Sequence, residues 1–375
     1  MNILLINPYE LKDIMLHLAS ELYVIEKGEN ELTSFEAKNK KKILTLKLPK
    51  NRVLRFLIVY AAYFYLYLKL ANKIHIVIVA QEPLEPAVIL LLMKLSGKKI
   101  IDRIGGSRAH LTYFTLHSRT PIKYKIAALL SLASLKFTLL LVDVIALNTK
   151  SLFSDNLYRR HSQKISIIPN CPSQTFYHIF KVLKEYEERE YVIGYVGAFT
   201  LAKGVASLIR AAKIISQKNP NIKFLLVGDW RHSQPPFLGY IIKEMIKNER
   251  NIMLIGPVAH HEVAKYLNEM KLLVLPSYTE GVPKVILEAM ACGTPTLATP
   301  VGGIPEVLAN GKYGYIIKGR SSEALAEEIL RALFNKRNEL LSREIRKYVR
   351  RIYNFAECLR LWLKVIKRLQ TKNET

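Results

Sequence analysis

Acidic residues are scarce in this chain. Only 31 Asp and Glu stand against 56 Lys and Arg, which leaves a formal charge of +25 and a pI near 9.8. No carboxylate cluster at metal-ligand spacing appears, so no metal site is expected. Cysteine is scarcer still. Cys171, Cys292 and Cys358 are widely separated, odd in number and without metal-ligand spacing. That pattern argues against a disulfide framework and predicts reduced thiols in a cytoplasmic protein. No basic region leading into a short apolar stretch and a cleavage site opens the chain, so no signal peptide is expected. Long apolar runs are few. Phe56 to Leu70 is short of the ~20 residues that a membrane span needs, and Ile126 to Leu147 is interrupted by Lys136 and Asp143. Both read as buried or interfacial helices, the second dividing into a helix that ends near Leu141 and a strand over Val144 to Leu147. The G-x-S-x-G elbow, the P-loop and H-E-x-x-H are all missing, which removes three common catalytic signatures.

What is present is a βα alternation, carried twice. A chain of 375 residues, 50% hydrophobic and 23% charged, is long and apolar enough for two domains. In the first half, strand-like Ile3 to Ile6, Ile43 to Leu46, Ile74 to Val79, Lys99 to Ile104, Val144 to Leu147 and Ile165 to Ile168 alternate with helical runs. The helices are Leu11 to Leu22, Val53 to Leu70, Pro83 to Leu95, Ile122 to Leu141 and Ser151 to Arg159. Such alternation predicts a parallel sheet covered on both faces. Pro169-Asn170-Cys171-Pro172 breaks the pattern, and the charged stretch Lys181 to Glu190 follows. A first domain over 1–170, a linker over 171–190 and a second domain over 191–350 result. The last stretch, 351–375, reads as a helix that packs back toward the first domain. Two doubly wound domains facing across a cleft would place ligands at the carboxyl ends of their strands.

One segment carries more than the rest: Leu272 to Leu308, LLVLPSYTEGVPKVILEAMACGTPTLATPVGGIPEVL. It reads as strand, turn, helix, strand, turn, and so presents a helix N-terminus at the edge of a parallel sheet. Free N–H groups and the positive dipole end there suit a phosphate. Pro283 fits the first helical position, where its missing donor is not needed. Glu288 lies further into the helix, and helical side chains lean back toward the N-terminus, so its carboxylate can reach a ligand docked there. An ionised carboxylate only accepts hydrogen bonds and suits a ribose diol. Glu280, just before the helix, suits a second set of hydroxyls. A phosphate between two hydroxyl-bearing groups describes a nucleotide sugar. As an isolated pair the two glutamates would be no more than a solvated helix.

The whole string resembles the signature of the retaining family 4 glycosyltransferases, which have the GT-B fold. The match runs through Pro276-Ser277, Glu280-Gly281, Pro283, EAMACG from Glu288 to Gly293, Pro295 and GGIPE from Gly302 to Glu306. The resemblance extends to GAFTLAKG at Gly197 to Gly204, FLLVGD at Phe224 to Asp229 and IGPV at Ile255 to Val258. It implies an α/β GT-B architecture of two Rossmann-like domains. It also implies sugar transfer from a nucleotide-sugar donor to an acceptor hydroxyl, with retention and without cofactor or metal. Glu280 and Lys203 are the implied catalytic residues. Glu288, Gly281, Val282, Pro283, Lys284, Gly197 and Gly256 are the implied donor-binding set, with Lys203 balancing the diphosphate. In the family this loop usually carries an arginine where Ala198 stands, so one of two diphosphate cations is missing. The first half resembles the family loosely: Asn7-Pro8-Tyr9-Glu10 replaces a glycine-rich loop. Arg103, Gly106 and His110 in DRIGGSRAH are the acceptor-side candidates, and IPN at Ile168 to Asn170 has a structural part only.

The expected partners are a nucleotide sugar and a glycan or lipid-linked acceptor in envelope polysaccharide synthesis. The cationic surplus adds a possible anionic membrane surface, with RVLRFLIVYAAYFYLYLKLANK at Arg52 to Lys73 beside it. No nucleic acid is expected, since no zinc finger or aromatic RNA-recognition motif accompanies the charge. The competing readings are a nucleotide-sugar epimerase and a non-catalytic GT-B scaffold that binds an anionic surface; Ala198 favours the latter.

Overall fold

Short β-branched and leucine-rich runs such as IVIVA and KIIDRI cannot leave either face in water, and they form strands buried on both sides. The computed structural model describes residues 2–6, 15, 18, 21–28, 35–38, 41–47, 61, 64, 65, 68, 69, 72–80, 87–106, 112, 115, 116, 121–154, 156–190, 192–231, 237–319 and 321–371. The chain divides into two compact units: Met1–Gln174 with Asn354–Thr375, and Thr175–Tyr353.

Unit 1 is built on an eight-stranded sheet. Its strands are β1 (Asn2–Ile6), β2 (Glu21–Gly28), β3 (Phe35–Lys38), β4 (Lys41–Lys47), β5 (Ile76–Ala80), β6 (Lys99–Ile104), β7 (Val144–Leu147) and β8 (Ile165–Ile167). They lie in the order β3-β4-β2-β1-β5-β6-β7-β8, with β3 antiparallel to β4 and every other pairing parallel. One face carries α1 (Ala87–Leu95) and α2 (Ile122–Leu141), whose Leu90, Met93, Leu135 and Leu139 pack on Val77, Ile100 and Ile145. The other carries the final helix, Phe355–Thr371, where Trp362 is fully buried among Ile3, Ile76 and Ile101.

Unit 2 holds β9 (Val192–Val196), β10 (Lys223–Val227), β11 (Ile252–Ile255), β12 (Leu272–Leu275), β13 (Thr296–Ala298) and β14 (Tyr315–Ile316). All pair in parallel, in the order β11-β10-β9-β12-β13-β14. Counted within the unit this is 3-2-1-4-5-6, the doubly wound dinucleotide-binding order, and the order reverses between β9 and β12. The helices that matter below are α3 (Val205–Lys218), α4 (Phe237–Ile246), α5 (Val263–Glu269) and α6 (Lys284–Ala291). The charged stretch before β9 is part of this unit. Arg189 is buried, and its guanidinium donates to the carbonyls of Lys184, Met270 and Cys292 and to Thr294 Oγ1.

Three expectations change. Of the helix expected over Leu11 to Leu22, residues 15 and 18 are helical, but Glu21 and Leu22 belong to β2, where ELYVIEKG satisfies its backbone groups by pairing with β1 on one side and β4 on the other; the rest lie outside the described residues. The run Ser151 to Arg159 breaks into a 3-10 turn at Lys150–Ser154 and a helix at Asn156–Arg159. Cys171 and Cys358 are not separate thiols: they form a disulfide with Cα atoms 5.8 Å apart. A separation of 187 residues hides the pair in the sequence, and the return of the last helix to unit 1 creates it. Cys292 is free and buried, and burial pushes its thiol up to about 12. Ile122 to Leu141 and Val144 to Leu147 form the elements expected of them. Of the helix expected over Val53 to Leu70, residues 61, 64, 65, 68 and 69 are helical and the rest lie outside the described residues.

Candidate active site

The reversal of strand order in unit 2 places two loops side by side at the carboxyl ends of β9 and β12. The first, Gly197 to Gly204, ends in a 3-10 turn at Leu201–Lys203 that Gly204 closes in the left-handed conformation, φ 67°. A Cβ at Gly204 would come within 2.1 Å of the Pro276 carbonyl oxygen, so only glycine lets the two loops meet. The second, Pro276 to Gly281, is tied to the first by Tyr278 N–H donating to the Ala202 carbonyl at 2.8 Å. From the far side, the N–H of Gly303 donates to the Gly281 carbonyl at 2.6 Å, and Gly302, φ 57°, abuts the Glu280 backbone. The glycines of KG, EG and GGIPE are thus one mechanical set that fixes the Glu280 loop.

The side chains meet inside that frame. Lys203 Nζ donates to Glu280 Oε2 at 2.6 Å, and Ser277 Oγ donates to Glu280 Oε1 at 2.7 Å. The Glu280 side chain is 6% exposed and that of Lys203 31% exposed. The carboxylate is therefore sunk and the ammonium open to an incoming anion. Tyr195 OH donates to the Ala198 carbonyl at 2.7 Å, and burial holds this phenol protonated, far above its usual range. Ala198, at the position of the missing arginine, is itself exposed.

Helix α6 opens one residue later than Pro283 at the first helical position would allow. Pro283 has ψ 121°, its carbonyl accepts from Ile286 N–H, and it therefore caps the helix that Lys284 begins. Gly281, Val282 and Pro283 form the half-buried approach, and Lys284 is exposed. Glu288 is buried, and its Oε1 lies 2.8 Å from Nε2 of His260. His260 belongs to a 3-10 turn just beyond β11, packs on the Phe180 ring at 5.2 Å, and its pKa is raised by the hydrogen bond to Glu288. Sequence reading had no part for it. The signal was its place, two residues after IGPV and on a strand end of the same sheet. Arg231 stands beside Gly256 at the neighbouring strand end and was also passed over. Gly197, with its carbonyl facing Gly228, opens the first loop.

The acceptor-side candidates fare differently. Arg103 is buried at the end of β6. Its guanidinium donates to the Ile168 carbonyl, to the Pro169 carbonyl at 3.0 Å and to Asn170 Oδ1 at 3.2 Å. Asn148 joins the same knot through Asn170 Oδ1 and the Gly105 carbonyl. The contacts made by Arg103 hold the IPN segment in place. Gly106 is half-buried next to it, and His110 lies outside the described residues.

Comparison with known proteins places the second unit and the fold. Residues 178–351 match the family model described as glycosyl transferases group 1. The second unit is a group 1 glycosyl transferase domain. An uncharacterized glycosyltransferase of Methanocaldococcus jannaschii is 32% identical over 175 residues, 46% of this chain and 47% of that protein. The N-acetyl-alpha-D-glucosaminyl L-malate synthase of Bacillus anthracis is 32% identical over 182 residues, 44% of this chain and 45% of its own. The capsular polysaccharide biosynthesis glycosyltransferase CapM of Staphylococcus aureus is 32% identical over 140 residues, covering 37% and 36% of the two chains. The chain thus spans less than half the length of these curated relatives. The fold is GT-B. Sucrose-phosphate synthase from Thermosynechococcus elongatus superposes with a TM-score of 0.77 at 17% identity, over 99% of this chain and 100% of that one. Anabaena HepE, solved with UDP and glucose, gives 0.72 at 14% identity, over 98% and 100%.

Proposed function

We propose that this chain is a retaining glycosyltransferase that moves a sugar from a nucleotide-sugar donor to an acceptor hydroxyl, on a glycan or lipid-linked acceptor of envelope polysaccharide synthesis. The observation that carries the reading is the Lys203–Glu280 pair beside α6 at the point where strand order reverses. Donor diphosphate brings negative charge to Lys203 and to the N–H groups that open α6. Glu280 then loses its cation and turns its acceptor oxygens to the donor sugar, with Ser277 holding the other oxygen. Glu288 accepts from the ribose diol; a carboxylate has about four lone-pair sites, so His260 competes for some of them. The barrier falls because charge developing on the leaving diphosphate meets a cation and a helix terminus already in place. By resemblance to the family, the leaving phosphate takes the proton of the acceptor hydroxyl, and neither metal nor cofactor takes part. Its CapM and malate-synthase relatives support transfer to an envelope or small-molecule acceptor.

One observation favours a second reading, a scaffold that binds without turnover: Ala198 leaves Lys203 without the second cation. A panel of UDP-, GDP- and ADP-sugars, assayed for transfer and slow hydrolysis, decides. Release of nucleoside diphosphate that Lys203→Ala abolishes supports the enzyme. Interconversion of donor sugars without release indicates an epimerase. Nucleotide binding without chemistry leaves the scaffold.

A further inference from the structure

Helix α2 is two-sided in an unusual way. Its inner face is part of the unit 1 core: Leu135, Thr138 and Leu139 are fully buried. Its outer face is also apolar. Ile122, Ile126, Leu129, Leu130, Phe137 and Leu140 are between 41% and 71% exposed. At 3.6 residues per turn these six positions fall within about 100° of arc, a single stripe along the helix. The helix is 20 residues long and contains no Asp or Glu. Lys125 and Lys136 fall along one edge of the stripe at the same periodicity. Lys164 Nζ caps the far end through the Leu139 and Leu140 carbonyls, both at 3.2 Å. Among the described residues this is the one helix whose length and composition would suit a membrane, and only 17% of its apolar window is buried in the protein. To cross a bilayer it would have to leave the core that Leu135 and Leu139 anchor.

We infer that the outer stripe of α2 is a docking surface for an anionic lipid bilayer, with the helix lying flat in the interface. An apolar face edged by cations, on a helix about 30 Å long, has the form of an interfacial helix. Charge selects the occupant. A second copy would bring its own +25 and set lysine edge against lysine edge, whereas an anionic surface is attracted by both. The same unit also exposes Phe64, Tyr65 and Leu68, one helical face with Lys69 beside it, which adds apolar and basic groups of the same kind. The inference goes beyond the donor-site reading and stands without it.

Co-sedimentation of the full chain with pure phosphatidylcholine vesicles and with vesicles containing phosphatidylglycerol tests it. The wild type partitions onto the anionic vesicles at low salt and is released as salt rises. Ile126→Glu with Leu130→Glu lowers partition at least about tenfold. Lys125→Gln and Lys136→Gln, each losing one cation, each lower it roughly fivefold. Tyr240→Ser on α4, equally exposed but in unit 2, changes nothing. Thermal melts and nucleotide titration of each variant separate lost docking from lost folding. The inference is overturned if the wild type ignores anionic vesicles at low salt, or if the stripe variants bind as it does. A wild type that self-associates in solution, does not bind vesicles, and becomes monomeric in the stripe variants assigns the face to a second copy and also overturns it.

Discussion

Lys203 and Arg103 occupy comparable places, each just beyond or at the end of a central strand, one in each unit. Their chemistry is opposite. Lys203 faces a carboxylate and is open enough for an anion to displace that partner. Arg103 is buried and its guanidinium is hydrogen-bonded to two backbone carbonyls and an amide oxygen of IPN. A cation whose partner is exchangeable can serve a ligand. A cation bonded to backbone holds a chain segment, and moving it would leave those acceptors unsatisfied. Sequence position does not separate the two; the identity of the acceptor does.

The largest effect should come from breaking the first of these. If the donor binds as proposed, Lys203→Ala removes the cation nearest its leaving diphosphate, and kcat should fall about 10²- to 10³-fold. Glu280 would remain sunk with only Ser277, so Lys203→Arg is the companion variant: it keeps the charge and should restore part of the rate. Steady-state kinetics on the donor that supports turnover would measure both. Full activity in Lys203→Ala would place the diphosphate elsewhere.

Arg103→Met should do the reverse. It should destabilise unit 1 by about 3 kcal/mol, because the Ile168 and Pro169 carbonyls lose a charged donor in a buried place. Nucleotide affinity should not move. Chemical denaturation with and without nucleotide gives both quantities. A variant of normal stability that has lost only acceptor turnover would return Arg103 to the acceptor site.

The contrast also explains what could be read beforehand. Unit 2 was legible because its motifs are short: each strand is a brief apolar run, and Gly204 of KG and Gly302 of GGIPE each have a close backbone contact that only glycine allows. Lys203 and Glu280 are 77 residues apart, yet both lie on strand ends that doubly wound order brings together. Contacts with no local sign were missed. Arg189 looked like one charge in a charged linker until the carbonyls around it were known. The Cys171–Cys358 bond depends on a chain that leaves unit 1 after Gln174 and returns to it at Asn354. His260 sits in an unremarkable His-His pair, and only the reach of Glu288 gives it a part. In unit 1, β2 was missed: the expected helix ran to Leu22, two residues into the strand, and the rest of ELYVIEKG, with charges at both ends of a short apolar run, had no clear period of its own.

Glu288 and His260 make a finer version of the comparison, with an exchangeable partner again. Glu288→Gln should weaken nucleotide binding by about 1.5–3 kcal/mol while leaving the fold intact. Glu288 raises the pKa of His260 above its usual 6.5. The pairing therefore adds stability that is complete below the unfolded value and is lost as pH rises through the raised pKa. Over that same window a ribose diol gains Glu288 as protonated His260 lets go, so nucleotide affinity should rise with pH. Calorimetric titrations across the window should show the slope in the wild type and lose it in His260→Ala. An equal slope in both would mean that His260 does not compete.

The smallest effect belongs to Ala198. Its side chain is exposed, and its carbonyl is held by Tyr195 OH, a bond that a change of side chain leaves untouched. Ala198→Arg should therefore fold normally. The added guanidinium sits on the loop that ends in Lys203, within reach of the same anion, and can form a bidentate contact with phosphate. One charged contact at a partly solvated site is worth about 0.5–1 kcal/mol, so the expected gain in kcat/KM is a few-fold. Its salt dependence carries the information: the gain should shrink as ionic strength rises, because the new charge is solvent-facing, while the Lys203 contribution beside a sunken carboxylate should shrink less. A gain that is insensitive to salt, or a loss of activity, would show that the loop does not present position 198 to the diphosphate and that Lys203 is its sole cation there.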